Sequence, residues 1–514
     1  MVYNNKNMKR LANFRSFTFA ILALFLTANL WGQDPAPAAL EGRGTENEPW
    51  LITNTADWNA FADAVNGGYD YSGEYIKLKE NITINVGAGD KMAGVFVEKN
   101  HADNRPFNGT FDGNGNTITF NCGTVGSPID VLACTLFRYT TGVTINDLTV
   151  TGTIVSSKKF AAGLIGWYHG SKQSQSYITN CTSHITINCS EIEEGASNKQ
   201  WDCSTGGFIG QVEEGNVVFT NCVFDGSILK GKQANANRCA GFISYIQSNS
   251  VTYTYCTMAG TIDMAQPSNY STFNRNGKNS FSGTYYITNY SGDSPQGTQA
   301  PTDAPTDNIA KIYTKNSTNY YVPGSVITGL ETTTYSYISD QTITIDAPVV
   351  SYYGKTLTRG TDYVIKVNEV QVDGAITLSA AGDYDIKIEA KAGSNYGGSK
   401  TTTIKVINFN SWSIVKEYLA DASKGDRNIT LSADITPDNP SGADVTLVVN
   451  GNVVLNLNGH TIDRGLYSYT AHSTYAYGSV INGQVLRIPA GSSLTINGNG
   501  GTIKGGNNKW EGRY

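Results

Sequence analysis

The sequence predicts an all-β protein: a parallel β-helix that opens with a capping helix, then a small β-sandwich, then the start of a second β-helix. Three observations carry this. Only 16% of the 514 residues are charged, and Gly (55) and Tyr (30) are abundant in a chain also rich in Asn and Thr. Charged residues ordinarily make up about 25% of a globular domain, and this composition suits strands and turns rather than helices. A short β-patterned unit recurs at unequal intervals, and a longer helix-then-strands segment occurs twice.

The short unit reads Gly163-Leu164-Ile165-Gly166 followed by Ile178-Thr179-Asn180-Cys181. It returns as Gly207-Phe208-Ile209-Gly210 with Phe219-Thr220-Asn221-Cys222, and as Gly241-Phe242-Ile243-Ser244 with Tyr253-Thr254-Tyr255-Cys256. A degenerate earlier copy holds Leu136-Phe137 and Ile145-Asn146-Asp147-Leu148. Along Leu148, Cys181, Cys222 and Cys256 the steps are 33, 41 and 34 residues. Unequal steps between matched strands mean loops of varying length on a constant frame. Units this short cannot bury their own inner faces, so they must stack as a solenoid. Helical repeats of similar length would need a 3.6-residue period, which is absent.

The longer segment begins with Thr55–Val65, where Trp58, Phe61, Ala62 and Val65 share one helical face and Gly67 follows as a stop. Asn410–Ala422 repeats it with Trp412, Val415 and Leu419. Strands Ile76–Thr83 and Ile429–Thr436 come next, and then Asn114-Gly115-Asn116-Thr117-Ile118 is matched by Asn458-Gly459-His460-Thr461-Ile462. Each helix is expected to cover the bare end of a solenoid core. Residues 42–290 form the first β-helix, 291–309 read as a Pro-, Thr- and Gly-rich linker, 310–407 as a sandwich of alternating strands, and 408–514 as an incomplete second β-helix.

Residues 1–32 read as a signal peptide. Lys6, Lys9, Arg10 and Arg15 precede an apolar stretch, Phe17–Ala28, and this stretch is shorter than the ~20 residues a membrane span needs. The mature protein is therefore expected to be exported, at the cell surface or outside the cell, without a membrane span in this sequence. A net charge of −6 with no basic block speaks against nucleic acid. Eight cysteines in an exported chain invite disulfides. However, Cys181, Cys222 and Cys256 share a column with Leu148, which suits buried thiols acting as small hydrophobes. Stacked coils would also stand close enough for a bridge, and the pairing of Cys122, Cys134, Cys189, Cys203 and Cys239 is not readable.

Gly42-Arg43-Gly44-Thr45, Pro49-Trp50-Leu51-Ile52, the Trp58 helix and Gly109-Thr110-Phe111-Asp112-Gly113-Asn114-Gly115 resemble the opening of bacterial surface β-helix proteins. The Gly-Leu/Phe-Ile-Gly repeats resemble the GLUG motif of bacterial adhesin-like proteins and of non-catalytic parts of some immunoglobulin A peptidases. Gly360-Thr361-Asp362-Tyr363 and Gly393-Ser394-Asn395-Tyr396-Gly397-Gly398 are similar to immunoglobulin-like modules of such proteins, especially from Bacteroidetes. Residues 408–514 look like a pectate-lyase-like start. The resemblance implies right-handed β-helices, surface exposure and adhesion to an extracellular glycan or to a host or matrix protein. It transfers no catalytic, metal or cofactor residues.

An enzyme is the rival reading, since β-helices host polysaccharide lyases and glycoside hydrolases; a third makes the chain an accessory region of a larger secreted peptidase. Glycoside hydrolysis needs two placed carboxylates. Asp112 is the leading single carboxylate, although Asp112-Gly113-Asn114-Gly115 also suits a tight turn. The Asp112-x-Asn114-x-Asn116 alternation lacks the Gly and Glu of a calcium loop. His101, Asp103 and Arg105 share a polar insertion that fits a solvated loop or acid–base chemistry. His169, His184, His460 and His472 lack metal spacing. For binding, Trp167, Tyr168 and His169 are expected to begin a variable loop that offers aromatic faces to a ligand, unless they fold back over the solenoid edge. Tyr285-Tyr286 and Tyr320-Tyr321 read as strand aromatics. Because Asn507–Tyr514 offers no cap for the second solenoid, the chain is expected to be part of a longer protein.

Overall fold

A computed structural model describes residues 37–98, 101–191, 204–229, 238–247, 249–263, 270–440, 445–465 and 484–505. The segment 1–32 read as a signal peptide, Cys203, His472 and Asn507–Tyr514 lie outside the described residues. Two compact units result, Met1–Pro301 with Tyr313–Val322, and Thr302–Ile312 with Pro323–Tyr514.

In the first unit, strands pair in parallel with the matching strand of the next turn, which makes a β-helix. One face, the long face below, is an eight-stranded sheet running from Trp50–Ile52 and Tyr75–Leu78 through Thr110–Asp112, Thr144–Asn146, Gln175–Thr179, Asn216–Thr220 and Ser250–Thr254 to Lys278–Ser282. A second eight-stranded sheet extends from Ile82–Asn85 to Thr298–Gln299. Two four-stranded sheets complete the turns, one of them formed by Phe137–Thr140, Ile165–His169, Ile209–Glu214 and Ile243–Ile246.

The repeat register of the sequence is the register of the sheet: Ile145 pairs with Ile178, Ile178 with Phe219, Phe219 with Tyr253, and Tyr253 with Phe281. These side chains point inward and stack on their equivalents. Phe219 and Tyr253 lie 5.4 Å apart at 7°, and Tyr253 and Phe281 5.1 Å apart at 6°. Phe208, Phe242 and Phe273 form a second column, tilted by 32° and 35° at 4.8 and 4.9 Å. A buried ring of this size is worth about 1.5–3 kcal/mol. The leading glycine of each repeat is needed for close approach. A Cβ on Gly163 would stand 2.4 Å from the Gly207 carbonyl oxygen, and one on Gly207 2.1 Å from that of Gly241.

Each turn rounds a corner through one left-handed residue: Asp147, Asn180, Asn221 and Tyr255 have φ of 52°, 53°, 51° and 56°. Asn and Asp tolerate this conformation best after glycine. Their side chains also form a ladder, Asn180 Nδ2 donating to Asp147 Oδ1 and Asn221 Nδ2 to Asn180 Oδ1, each at 2.9 Å.

Next to the corner, Leu148, Cys181, Cys222 and Cys256 are all buried, and the three cysteines are free thiols. The column is not purely hydrophobic. Cys222 Sγ donates to the Ile178 carbonyl of the preceding turn at 3.2 Å, and one turn past Cys256 the Thr284 hydroxyl donates likewise to Tyr253 at 3.2 Å. Cys189 and Cys239 are buried thiols too, whereas Cys122 and Cys134 are joined by a disulfide.

Helix α1, Thr55–Asn66, starts where the Asn54 side chain accepts the Asp57 N–H. It buries Trp58, Phe61, Ala62 and Val65 against the first turns, with Trp58 edge-on to Phe111 and Phe137. At the other end of this unit, the segment read as a linker contributes structure. Thr298–Gln299 pair in parallel with Tyr285–Tyr286, and the Gln296 amide accepts the N–H groups of Phe273 and Asn274. Val322 packs there on Ile287 and Ala300. Gln296 and Thr298–Gln299 of this polar segment satisfy a strand edge that would otherwise lie bare.

The second unit begins with antiparallel pairing. Asp307–Lys315 pairs with Tyr396–Ile407, then come Gly382–Ala390, Tyr363–Val367 and Val370–Val372. Ile365, Ile386, Ile388 and Ile404 of this sheet share a core with Val350 of a smaller sheet. A second parallel stack follows, Arg427–Thr430, Asn452–Asn456 and Ser493–Asn497, headed by helix α2, Trp412–Ala420. The duplication extends to single atoms. Trp58 Nε1 donates to the Lys91 carbonyl and Trp412 Nε1 to that of Val445; Asn81 accepts the Thr117 N–H and Asp434 that of Thr461, both at 2.7 Å.

The buried thiol column makes a direct prediction. Cys222→Ala should cost about 1–2 kcal/mol in denaturant unfolding, while Cys222→Asp should prevent folding because its carboxylate has no partner inside the turn. A bulky thiol reagent should modify Cys222 and Cys256 only after unfolding. Rapid labelling of the native protein would show instead that the column faces solvent.

Candidate binding face

The opening Gly42-Arg43-Gly44-Thr45 motif builds a tight loop. Arg43 and Thr45 both donate their N–H groups to the Glu48 carbonyl, and Leu51 donates to Glu41. Gly42 and Gly44 have φ of 117° and 72°, and a Cβ on Gly44 would stand 2.4 Å from Trp50 Nε1. That indole nitrogen donates to Glu74 Oε2 at 2.5 Å, and the Tyr69 hydroxyl donates to the other oxygen. Glu74 therefore pins the loop beside the first strands of the long face.

Between the loop and the outer side of those strands lies a groove of about 700 Å³. Tyr75, Lys77, Thr110, Asp112, Asn146 and Asp147 line it on the sheet side, and Glu41, Arg43, Glu46 and Glu48 on the loop side. Five carboxylates face two cations, so the groove is electronegative. Asp112 is committed within it: Oδ1 accepts the Asn114 N–H at 2.7 Å and Oδ2 stands 3.1 Å from Lys77 Nζ. Asp147 accepts the Asn180 amide.

Beyond the groove the outer side of the long face continues without charge. Its outward positions carry Thr144 and Asn146, then Gln175, Tyr177 and Thr179, then Asn216, Val218 and Thr220, then Ser250, Thr252 and Thr254. Ser280 and Ser282 follow, with Lys278 as the first cation met. Tyr177 is 46% exposed. Polar side chains on neighbouring turns already bond one another: the Ser280 hydroxyl donates to that of Thr252 at 3.1 Å and the Ser250 hydroxyl to the Asn216 amide oxygen at 2.8 Å. This strip went unread in the sequence, although its signal was there, in the alternate positions of the same strands whose inward residues define the repeat.

The expected ligand loop at Trp167, Tyr168 and His169 is corrected. These residues are in the strand Ile165–His169, with Trp167 5% and Tyr168 0% exposed. Tyr168 points into the solenoid core. Trp167 points outward but is covered by Phe96, stacked at 4.8 Å, and Phe160, edge-on at 4.7 Å, while its Nε1 donates to Glu213 at 3.0 Å. His169 Nδ1 stands 3.3 Å from the same carboxylate. The cluster fastens an insertion over this sheet and has no aromatic face to offer.

His101–Asp103 form a single helical turn, and Arg105 bonds the carbonyls of Ala102 and Asn104. His184 and His460 pair with Asp225 and Asp434. Among the described residues no group of three or more His, Cys, Asp or Glu side chains is placed to hold a metal ion, and no helix is long and apolar enough to cross a membrane. No protein family, curated protein or solved structure matches the chain.

The loop anchor carries a pH signature. The hydrogen bond to Glu74 pushes the Tyr69 phenol up to about 12, and burial pushes Tyr71 up to about 12. An unfolded tyrosine ionises near 10, so this preference for the folded state is complete below about pH 10 and is lost as the pH rises from 10 towards 12. In Glu74→Gln the Tyr69 phenol should titrate nearer to 10 while Tyr71 stays close to 12, as read by NMR of the tyrosine rings. A Tyr69 phenol that stayed close to 12 in this variant would show that burial, not Glu74, holds it.

Proposed function

We propose that the chain is an exported, cell-surface protein of adhesin type that binds an extracellular glycan or a host or matrix protein along the outer side of the long face, without catalysis of its own. The observation that carries this reading is the uncharged strip of hydroxyl and amide side chains, set at regular spacing by the β-helix, with Tyr177 exposed in it and a polar groove at one end. Sugar hydroxyls and peptide groups both suit such a surface. The GLUG-like repeats and the leader-like segment support surface display.

A hydrolytic reading has one observation in its favour, since Asp112 and Asp147 line the same groove. Both carboxylates are already engaged, Asp112 by Lys77 and the Asn114 N–H and Asp147 by Asn180, which suits binding better than proton transfer.

An array of neutral and acidic glycans and of matrix proteins tests the proposal, with product analysis on the same samples. Binding without new reducing ends or unsaturated products is expected, and it should be lost in Thr220→Lys, which places a cation in the middle of the strip. Reproducible turnover would replace the adhesin reading with an enzymatic one.

A further inference from the structure

We infer that the ligand of the long face is an uncharged, extended polysaccharide lying along the solenoid axis with about one sugar ring per turn. This deepens the adhesin reading and rests on it. Neighbouring strands of a sheet stand about 4.8 Å apart, close to the advance of one pyranose ring in an extended β-linked chain. The inward ring columns, spaced at 5.1–5.4 Å, show that this interval is kept over the last three turns of the face. A polymer running along the axis therefore meets the same kind of side chain at each sugar.

Charge selects the class of polymer. The strip from Thr144 to Thr254 has no cation to offset the desolvation of an anionic sugar. The groove at its end, with five carboxylates to two cations, repels a polyanion while offering strong acceptors to neutral hydroxyls. Tyr177 gives one ring on which a pyranose can stack. A protein partner would need a central cluster of aromatic or arginine anchors, and the strip has a single tyrosine. The side-chain hydrogen bonds Ser280–Thr252 and Ser250–Asn216 hold these four side chains in place before any ligand arrives, which lowers the ordering cost of binding.

Calorimetric titration of the full chain with linear neutral β-linked gluco- and manno-oligosaccharides of two to eight sugars, with polygalacturonate as the anionic counterpart, tests this. Affinity should rise with length and level off at about five sugars, one for each strand of the strip from Thr144–Asn146 to Lys278–Ser282 at about 4.8 Å per turn. Tyr177→Ala and Thr220→Lys should each weaken binding at least about tenfold, and Thr186→Lys, on a different sheet, should leave it unchanged. Tyr177 is exposed, so its variant separates lost contact from lost folding. Tighter binding of polygalacturonate, affinity independent of length, or no binding of any neutral probe would overturn the inference. If the array then shows a protein ligand that Thr220→Lys abolishes, the adhesin reading stands without it; if nothing on the array depends on Thr220, both fail.

Discussion

One turn of the first β-helix has only short strands, each pointing one or two apolar side chains inward. No such turn buries enough surface to offset the ordering of its own backbone. The contact that makes the unit possible is between equivalent residues on adjacent turns: Phe219 on Tyr253 on Phe281, and Phe208 on Phe242 on Phe273. Parallel pairing and side-chain stacking then require the same interval, and anything that widens it costs both. This is why Gly163 and Gly207 carry no side chain where their Cβ would press on the next turn's carbonyl. It is also why each corner is rounded by a single left-handed residue. Loops outside this frame are free to vary, which accounts for steps of 33, 41 and 34 residues over an unchanged register.

A stack of this kind has two ends, and the two are managed differently. Helix α1 lays Trp58 and Phe61 over the first turns and closes the core with apolar bulk. At the other end the task is mainly polar. Gln296 supplies acceptors to the N–H groups of Phe273 and Asn274, and Thr298–Gln299 add one more strand to the second sheet. A strand edge needs hydrogen-bonding partners as much as cover, so a Gln- and Thr-rich segment does this work while carrying the composition of a linker.

Stacking constrains only the inward side, so the outer sides are where one face differs from another. The sheet containing Trp167 is roofed by Phe96 and Phe160, which turns its outer side into a small second core. Among the described residues the long face has no such cover over Tyr177, which is exposed, and it meets a groove walled by the Glu74-anchored loop. In the proposed reading, recognition rests on side chains that contribute little to folding, and this separation makes the binding variants interpretable.

The sequence by itself determined the β-helix, its register, the two capping helices and the buried thiol column, because these follow from local alternation and from repetition of one unit. Gly42 and Gly44 were legible as a motif, but not the reason for them, which needs Trp50 and Glu74 brought alongside. Only the tertiary structure decided that Cys122 pairs with Cys134, that Thr298–Gln299 add an edge strand, and that Trp167 is covered while Tyr177 is exposed. The physical reason is the same in each case. Alternation along a strand says which side chains leave the core, whereas exposure depends on whether a distant insertion folds back over them. The insertion carrying Phe96 is some seventy residues from Trp167, a distance over which no local pattern reaches.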